Sequence, residues 1–284
     1  MIKVKEEIKK NNFYIKKSLG QNFLIDENIL SKIIKEIYIH DKTLTIEIGP
    51  GLGNLTEKLV ENSNYTIAIE KDKSLENIIN KNIKQNNFKL IIEDFLKSDL
   101  NNVLSNFTNE GFDIKKYKIL FVSNLPYYIT QKIIMKIITS DIQFETLTVM
   151  IQKEVSDRIF AKPYTKDYGI LTLFVQYYSI PKFLFNVSRN SFFPVPNVDS
   201  SLIQFAKKND KEKLPLDEEK KLIQIIKASF AQRRKTLINS LYNELHIDKN
   251  TIKEILNKIN INENVRAEEL TLEHFKILSK EIKK

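Results

Sequence analysis

The stretch Leu44-Thr45-Ile46-Glu47-Ile48-Gly49-Pro50-Gly51-Leu52-Gly53-Asn54-Leu55 constrains this chain more than any other. Thr45, Ile46 and Ile48 are β-branched, which suits a buried strand. Gly49, Gly51 and Gly53 follow as a turn without Cβ atoms, so a ligand can approach its backbone closely. Apolar residues then return at helical spacing in Leu55, Leu59 and Val60. A strand that feeds a helix through such a turn is a device for holding a nucleotide-like cofactor, and it points to an α/β architecture.

The acids around the turn narrow the choice of ligand. The spacing is GxGxG, not the GxGxxG of the dinucleotide fingerprint. Glu47 stands two residues before the first glycine. A carboxylate there repels phosphate and attracts the amino group of an amino-acid moiety. A second strand, 65–69, ends in Glu70, where an acid takes the ribose hydroxyls of an adenosine. Acid, glycine turn and distal acid together fit S-adenosylmethionine (AdoMet) better than NAD. A third strand, 88–92, runs into Glu93-Asp94-Phe95. In doubly wound folds ligands bind at the carboxyl ends of strands, so Asp94 is placed to accept from an adenine amino group.

A fourth strand, 118–123, runs into Asn124-Leu125-Pro126-Tyr127-Tyr128. This (Asn/Asp)-x-Pro-(Tyr/Phe) pattern suits methylation of an exocyclic amine. That nitrogen is a poor nucleophile because its lone pair is delocalised into the ring. The Asn124 amide oxygen and the Leu125 carbonyl can each accept one N–H, drawing the nitrogen towards tetrahedral geometry. Pro126 fixes the backbone that aims those acceptors. Tyr127 can stack on a base that is extruded or single-stranded. No strong general base is needed, because the proton leaves after the nitrogen has become cationic. In-line positioning then carries the transfer.

The flanking chain is read around these two sites. Residues 1–15 form a basic N-terminal arm. Lys16 and Lys17, expected as RNA contacts, precede a loop, Gln21-Asn22-Phe23-Leu24, that can fold over the cofactor, with Asp26 as the N-cap of a helix over 27–39. After a helix at 131–138 and a strand at 146–151 comes a basic, tyrosine-containing loop, Lys162 to Tyr168, and an apolar helix at 169–178. A strand at 182–187 precedes an aromatic loop, Phe192 to Ser200, in which Phe192 is a candidate for the other face of the base pocket. A last strand, 202–205, is expected antiparallel at the sheet edge. The charge run 207–213 reads as a linker. Helices are expected at 217–230, 235–245, 249–259 and 267–282, with Arg233, Arg234 and Lys235 as a phosphate contact between two of them. The expected domains are thus the arm, an AdoMet-binding domain at 16–206, and an α-helical RNA-docking domain at 207–284.

Composition removes several chemistries. The chain has 284 residues and no cysteine, which excludes disulfides, thiolate metal sites and cysteine nucleophiles. Its three histidines, His40, His246 and His274, are scattered, so neither a histidine metal site nor a Ser-His-Asp triad is expected, and no metal is assigned. No apolar run reaches the roughly eighteen residues of a membrane helix. The N-terminus lacks the apolar core of a signal peptide, so the expected compartment is the cytoplasm, without membrane association. A formal net charge of +9 suits a polyanionic partner, though abundant Lys, Ile and Asn also reflect AT-rich coding.

With these residues in hand the chain resembles the ribosomal RNA adenine N6,N6-dimethyltransferase family, most closely its bacterial small-subunit members. The matching residues are Gln21 to Leu24, Glu47 to Gly53, Glu70, Asp94, Asn124 to Tyr127, Phe192 to Ser200 and Phe230 to Leu237. Glu93, an extra acid before Asp94, is a local departure. The resemblance implies a class I AdoMet-dependent methyltransferase, with a Rossmann-like, seven-stranded, mostly parallel sheet and a small C-terminal α-helical domain. It implies that Asn22, Leu24, Gly49, Glu70, Asp94 and Asn124 contact AdoMet or the reacting centre, beside Glu47 and Gly51 of the turn. Tyr127 and Phe192 would hold the base. The implied reaction is dimethylation of two adjacent adenosines in the hairpin loop near the 3′ end of small-subunit rRNA, in an assembling (pre-30S) particle, by a monomer. A methylase of large-subunit rRNA shares the catalytic motifs and stays open as a reading. So does a ribosome-assembly factor without turnover, although the intact acids, glycines and Asn124 argue against it.

Overall fold

A computed structural model of the chain describes residues 6, 8, 10, 11, 13–16, 19–109, 112–209, 212–232 and 234–282. By compactness it divides into two units. The first comprises residues up to Ser156 together with Pro181–Lys207, and the second comprises Asp157–Ile180 with the chain from Lys208 onward. The sequence reading placed 157–180 with the sheet; compactness groups that segment with the C-terminal helices.

Among the described residues the first unit is built on nine strands and their helices. In chain order they are β1 (Phe23–Leu24), α1 (Glu27–Glu36), β2 (Thr43–Ile48), α2 (Asn54–Asn62), β3 (Tyr65–Glu70), α3 (Glu76–Asn82), β4 (Phe88–Ile92), α4 (Leu100–Asn109), β5 (Lys118–Asn124), α5 (Thr130–Ile138), β6 (Thr146–Gln152), α6 (Lys153–Ile159), β7 (Ser179–Val187), β8 (Phe192–Phe193) and β9 (Ser200–Lys207). Seven strands form one sheet in the order β4-β3-β2-β5-β6-β9-β7. The first five are parallel, and β9 runs antiparallel to β6. This order brings β2 and β5 side by side, so the glycine turn and the Asn124 segment leave the sheet at adjacent strand ends. Order reverses at β2, the kind of switch point where ligands sit in open α/β sheets.

One expectation changes. The last strand is not at the edge, because β9 lies between β6 and β7 and leaves β7 outermost. The physical reason is legible in β7 itself. Pro181 has no N–H to give a ladder, and Lys182 and Phe183 are exposed, as an edge strand tolerates. In contrast, most of β9 is buried.

Among the described residues two apolar clusters pack the sheet unit. One packs Leu30 and Ile33 of α1 and Leu55 and Leu59 of α2 against Leu120, Met150, Phe185 and Leu202 of the sheet. The other joins Phe13, Phe23, Leu52 and Val60 to Leu75, Ile78 and Ile79. Asp26 caps α1, its side chain accepting from the Asn28 and Ile29 N–H groups.

The second unit carries α7 (Ile170–Tyr178), α8 (Leu216–Phe230), α9 (Leu237–Leu245), α10 (Lys249–Lys258) and α11 (Leu272–Glu281). Thr236 and Asp248 cap α9 and α10. Both buried tyrosines at the end of α7 donate to Glu219 of α8, Tyr178 at 2.7 Å and Tyr177 at 3.2 Å. Among the described residues no helix is long and apolar enough to cross a membrane.

Candidate active site

The turn after β2 takes backbone angles that only glycine adopts freely. Gly49, Gly51 and Gly53 have φ of 68°, 61° and 90°. Space is also short at Gly51, where a Cβ would lie 2.9 Å from Phe23 Cδ1. Glu70, at the end of β3, ties the turn down. Its carboxylate accepts from the Asp72 N–H at 2.7 Å and the Gly51 N–H at 3.3 Å. Burial pushes the Glu70 pKa up, and those backbone donors pull it only partway back.

Glu47, near the end of β2, is only 1 % exposed. Its Oε2 has no hydrogen-bond partner among the described residues. Burial drives its pKa up to about 8; the nearby Thr56 hydroxyl offsets part of the rise, and the Glu70 charge adds to it. A buried carboxyl oxygen without a donor, beside a cavity, is half of an interaction.

The loop before α1 is strapped across this turn by side chains from three places. Lys16 Nζ and Gln21 Nε2 donate to Asp72, at 2.6 and 2.9 Å. Asn54 Nδ2, from α2, donates to the Leu24 carbonyl at 2.7 Å. Asn124 Nδ2, from β5, donates to the Asn22 carbonyl at 2.9 Å. Strand β1 completes the strap by pairing antiparallel with β8, Phe23 opposite Phe193 and Leu24 opposite Phe192.

Asn124 is thereby oriented. Its amide nitrogen is spent on Asn22, and no hydrogen bond reaches its oxygen among the described residues. The Leu125 N–H donates to Met150 of β6, and Pro126 accepts from Ile129 N–H and the Thr130 hydroxyl. Tyr127 is held by a hydroxyl pair with Ser200 at 3.2 Å, and burial raises its pKa. Ser123 Oγ, one residue earlier, donates to the Ile48 carbonyl and so stitches the β5 end to the β2 end. One cavity collects these groups: the strap residues Asn22 and Leu24, Glu47, the Gly49–Gly51 turn, Glu70, Asp94 and Asn124 to Tyr127 all line it.

Comparison with known proteins now decides the family. Residues 12–284 match the family described as ribosomal RNA adenine dimethylase. The chain belongs to that family. It is 41% identical over 281 residues to a ribosomal RNA small subunit methyltransferase A from Geobacillus sp., covering 98% of this chain and 94% of the relative. A protein of the same name from Alkaliphilus oremlandii is 40% identical over 99% of this chain and 96% of its own. Among solved structures, a dimethyladenosine transferase from Plasmodium falciparum aligns with a TM-score of 0.71 at 24% identity, covering 91% of this chain and 96% of that one. The 23S rRNA methyltransferase ErmE aligns at 0.66 and 20% identity, covering 92% and 99%. These two share the class I methyltransferase fold with this chain. As a member of the dimethylase family, the chain is an rRNA (adenine-N6,N6)-dimethyltransferase.

Among the described residues, four of the expected site residues do not line the cavity. Phe192 is fully buried in the core beside Leu24, its partner across the β1–β8 ladder. Of the cations read as RNA contacts, Lys16 is engaged with Asp72, and Arg234 and Lys235 are exposed in the helical unit. Lys17 and Arg233 lie outside the described residues. The sequence reading missed Lys71, which lines the cavity and pairs with Asp94 at 3.0 Å. That hydrogen bond holds the Asp94 carboxyl below the usual carboxylate range, against the small opposing effect of burial. It also missed Asp72, the buried anchor of the strap. Both follow Glu70 directly, and only the β3–β4 geometry shows that one reaches the strap and the other Asp94.

Proposed function

We propose that this dimethylase uses AdoMet to convert two adjacent adenosines, in the hairpin loop near the 3′ end of small-subunit rRNA, to N6,N6-dimethyladenosine. The observation that carries the reading is the shared cavity, which joins an acid-flanked glycine turn to the Asn124–Tyr127 segment. The substrate is proposed to be rRNA in an assembling small subunit, in the cytoplasm, with the enzyme acting as a monomer. The names of the two bacterial relatives support the small-subunit target.

The residues fit the donor. The partnerless Glu47 oxygen suits an ammonium group. Glu70 suits the ribose hydroxyls, and Asp94 the adenine amino group once it shares Lys71. The glycine turn admits a ligand where a Cβ at Gly51 would not fit. The donor supplies an electrophilic methyl group on sulfonium sulfur.

The chain's own groups handle the acceptor. Asn124 Oδ1 and the Leu125 carbonyl take the two N6–H bonds, and Tyr127 stacks on the ring. Leu24 closes the neighbouring wall, with Phe192 supporting it from the core. As the N–C bond forms and the S–C bond breaks, N6 becomes cationic and then sheds a proton. The monomethyl product keeps one N–H, so the second transfer uses one acceptor fewer.

Mass spectrometry of rRNA from cells with and without the gene tests this reading. Two adjacent dimethyladenosines near the small-subunit 3′ end should vanish with the gene. Loss of dimethyladenosine from large-subunit rRNA instead would overturn the target.

A further inference from the structure

The Lys162–Tyr168 loop of the helical unit plays no part in the chemistry above. Lys162-Pro163-Tyr164-Thr165 closes a tight turn, with the Thr165 N–H donating to the Lys162 carbonyl at 3.3 Å and the Thr165 hydroxyl to the same oxygen at 2.7 Å. Proline at the second position and a positive φ at the third are the marks of a type II turn. The third position normally carries glycine, because a Cβ opposes left-handed backbone. This chain puts a tyrosine there, at φ 68° and 75% exposed.

The turn is held from outside. The Tyr164 N–H donates to the Glu268 carbonyl at 2.9 Å. Tyr168 is buried and donates its hydroxyl to the Leu270 carbonyl at 2.8 Å. Thr172 donates to the Arg158 carbonyl at 2.6 Å. A ring carried into solvent on a stapled, disfavoured backbone calls for a function, since glycine would make the same turn without cost. Lys162 and Lys166 stand two residues before and after Tyr164 in the sequence, both exposed, and no ion pair engages either among the described residues.

We infer that Tyr164 is a stacking platform for an unpaired base of the substrate RNA, with Lys162 and Lys166 taking the adjoining phosphates. Every base offers a π-face, so such a contact adds affinity without reading sequence. Holding the ring in place beforehand spares the ordering cost on binding. The inference rests on the RNA reading above and adds a further contact region, on the helical unit, to it.

Binding of the full-length protein to labelled small-subunit rRNA, over a range of KCl, tests it. Tyr164→Gly should keep or raise the thermal midpoint and leave AdoMet affinity unchanged. Its Kd for RNA should rise about tenfold at every salt concentration, the scale of one lost base stack, with an unaltered salt slope. Tyr164→Phe should retain wild-type Kd. Lys162→Gln with Lys166→Gln should instead flatten the slope, by about 1.4 to 1.8. Wild-type Kd for Tyr164→Gly overturns the inference. So does weaker binding to assembled particles with unchanged binding to naked rRNA, which would assign the ring to a ribosomal protein. Methyl incorporation by the wild-type enzyme is scored separately, so failure of the enzymatic reading shows without disturbing the binding result.

Discussion

Glu47 is the residue whose chemistry is most exposed to test. Alone in its buried site it holds a proton up to a pH of about 8, whereas in the unfolded chain it loses that proton near 4.5. The folded state therefore binds more protons across that window, and stability falls as pH rises from 4.5 to about 8, then levels off. An ammonium group seated on Oε2 reverses the preference and drives the proton off. AdoMet binding at pH 7 should thus release up to one proton, seen as a binding enthalpy that varies with the ionisation enthalpy of the buffer. Glu47→Gln should abolish that release and weaken AdoMet by roughly 10- to 100-fold, the scale of a charge-assisted hydrogen bond. The same variant should gain stability, on the order of a few kcal/mol, over wild type at pH 9 and little at pH 5. Proton-neutral binding at pH 7 would remove Glu47 from the ammonium site. Asn124 offers a second single-residue test, because its two ends do different work. Asn124→Ala removes both the acceptor oxygen and the donor to Asn22, so methyl transfer should fall at least about 100-fold. RNA binding should stay near wild type in a filter assay. Residual AdoMet affinity then measures how much the strap depends on this one bond, and near-wild-type turnover would take Asn124 out of the mechanism.

At the scale of elements, the glycine turn and the strap behave as one device. Gly49→Ala meets nothing closer than Pro126 Cδ at 4.0 Å, so it should cost only the left-handed backbone, about 1–2 kcal/mol by thermal denaturation. Gly51→Ala adds a collision with Phe23, which sits on the strap and in the second core cluster. It should destabilise more than Gly49→Ala and also weaken AdoMet, because Phe23 can yield only by shifting β1. Equal melting points for the two variants would show that the strap is not seated on the turn. The turn was legible in the sequence because its rule is local: β-branched residues, then glycines at positions of positive φ. The strap was half legible. Its loop and the Asp26 cap follow from local pattern, but the bonds from Asp72, Asn54 and Asn124 span 30 residues or more and leave no periodic trace. The position of β9 failed for a related reason. Strand order is a long-range property, and the one local hint, Pro181 marking β7 as an edge, lies in the neighbouring strand rather than in β9. Phe192 shows the same limit, since an aromatic in a rigid loop looks alike from sequence whether it faces a cavity or a core.

At the scale of the molecule, the question is which of its many cations meet RNA. Net charge of +9 from 45 basic and 36 acidic residues cannot answer it, because lysines are spread over the whole chain and several are engaged internally. Lys16 is bound to Asp72, Lys71 to Asp94, and Lys136 donates to the carbonyls of Phe95 and Ser98. These contribute to the total charge and little to a phosphate contact, since each would have to leave a partner first. Arg234 and Lys235 differ. They are exposed at the junction of α8 and α9, where the Lys235 N–H donates to the Gln232 carbonyl and Thr236 caps α9. Replacing both with Gln should lower the slope of log K against log salt by about 1.4 to 1.8, with unchanged thermal midpoint and AdoMet affinity. Replacing Lys71 with Gln should leave the salt slope near wild type and alter AdoMet affinity instead, because its partner lines the cavity. The pair of variants separates cations that face the nucleic acid from cations that build the protein. If both slopes move equally, position in the fold does not sort these charges, and RNA binding is set by net charge alone.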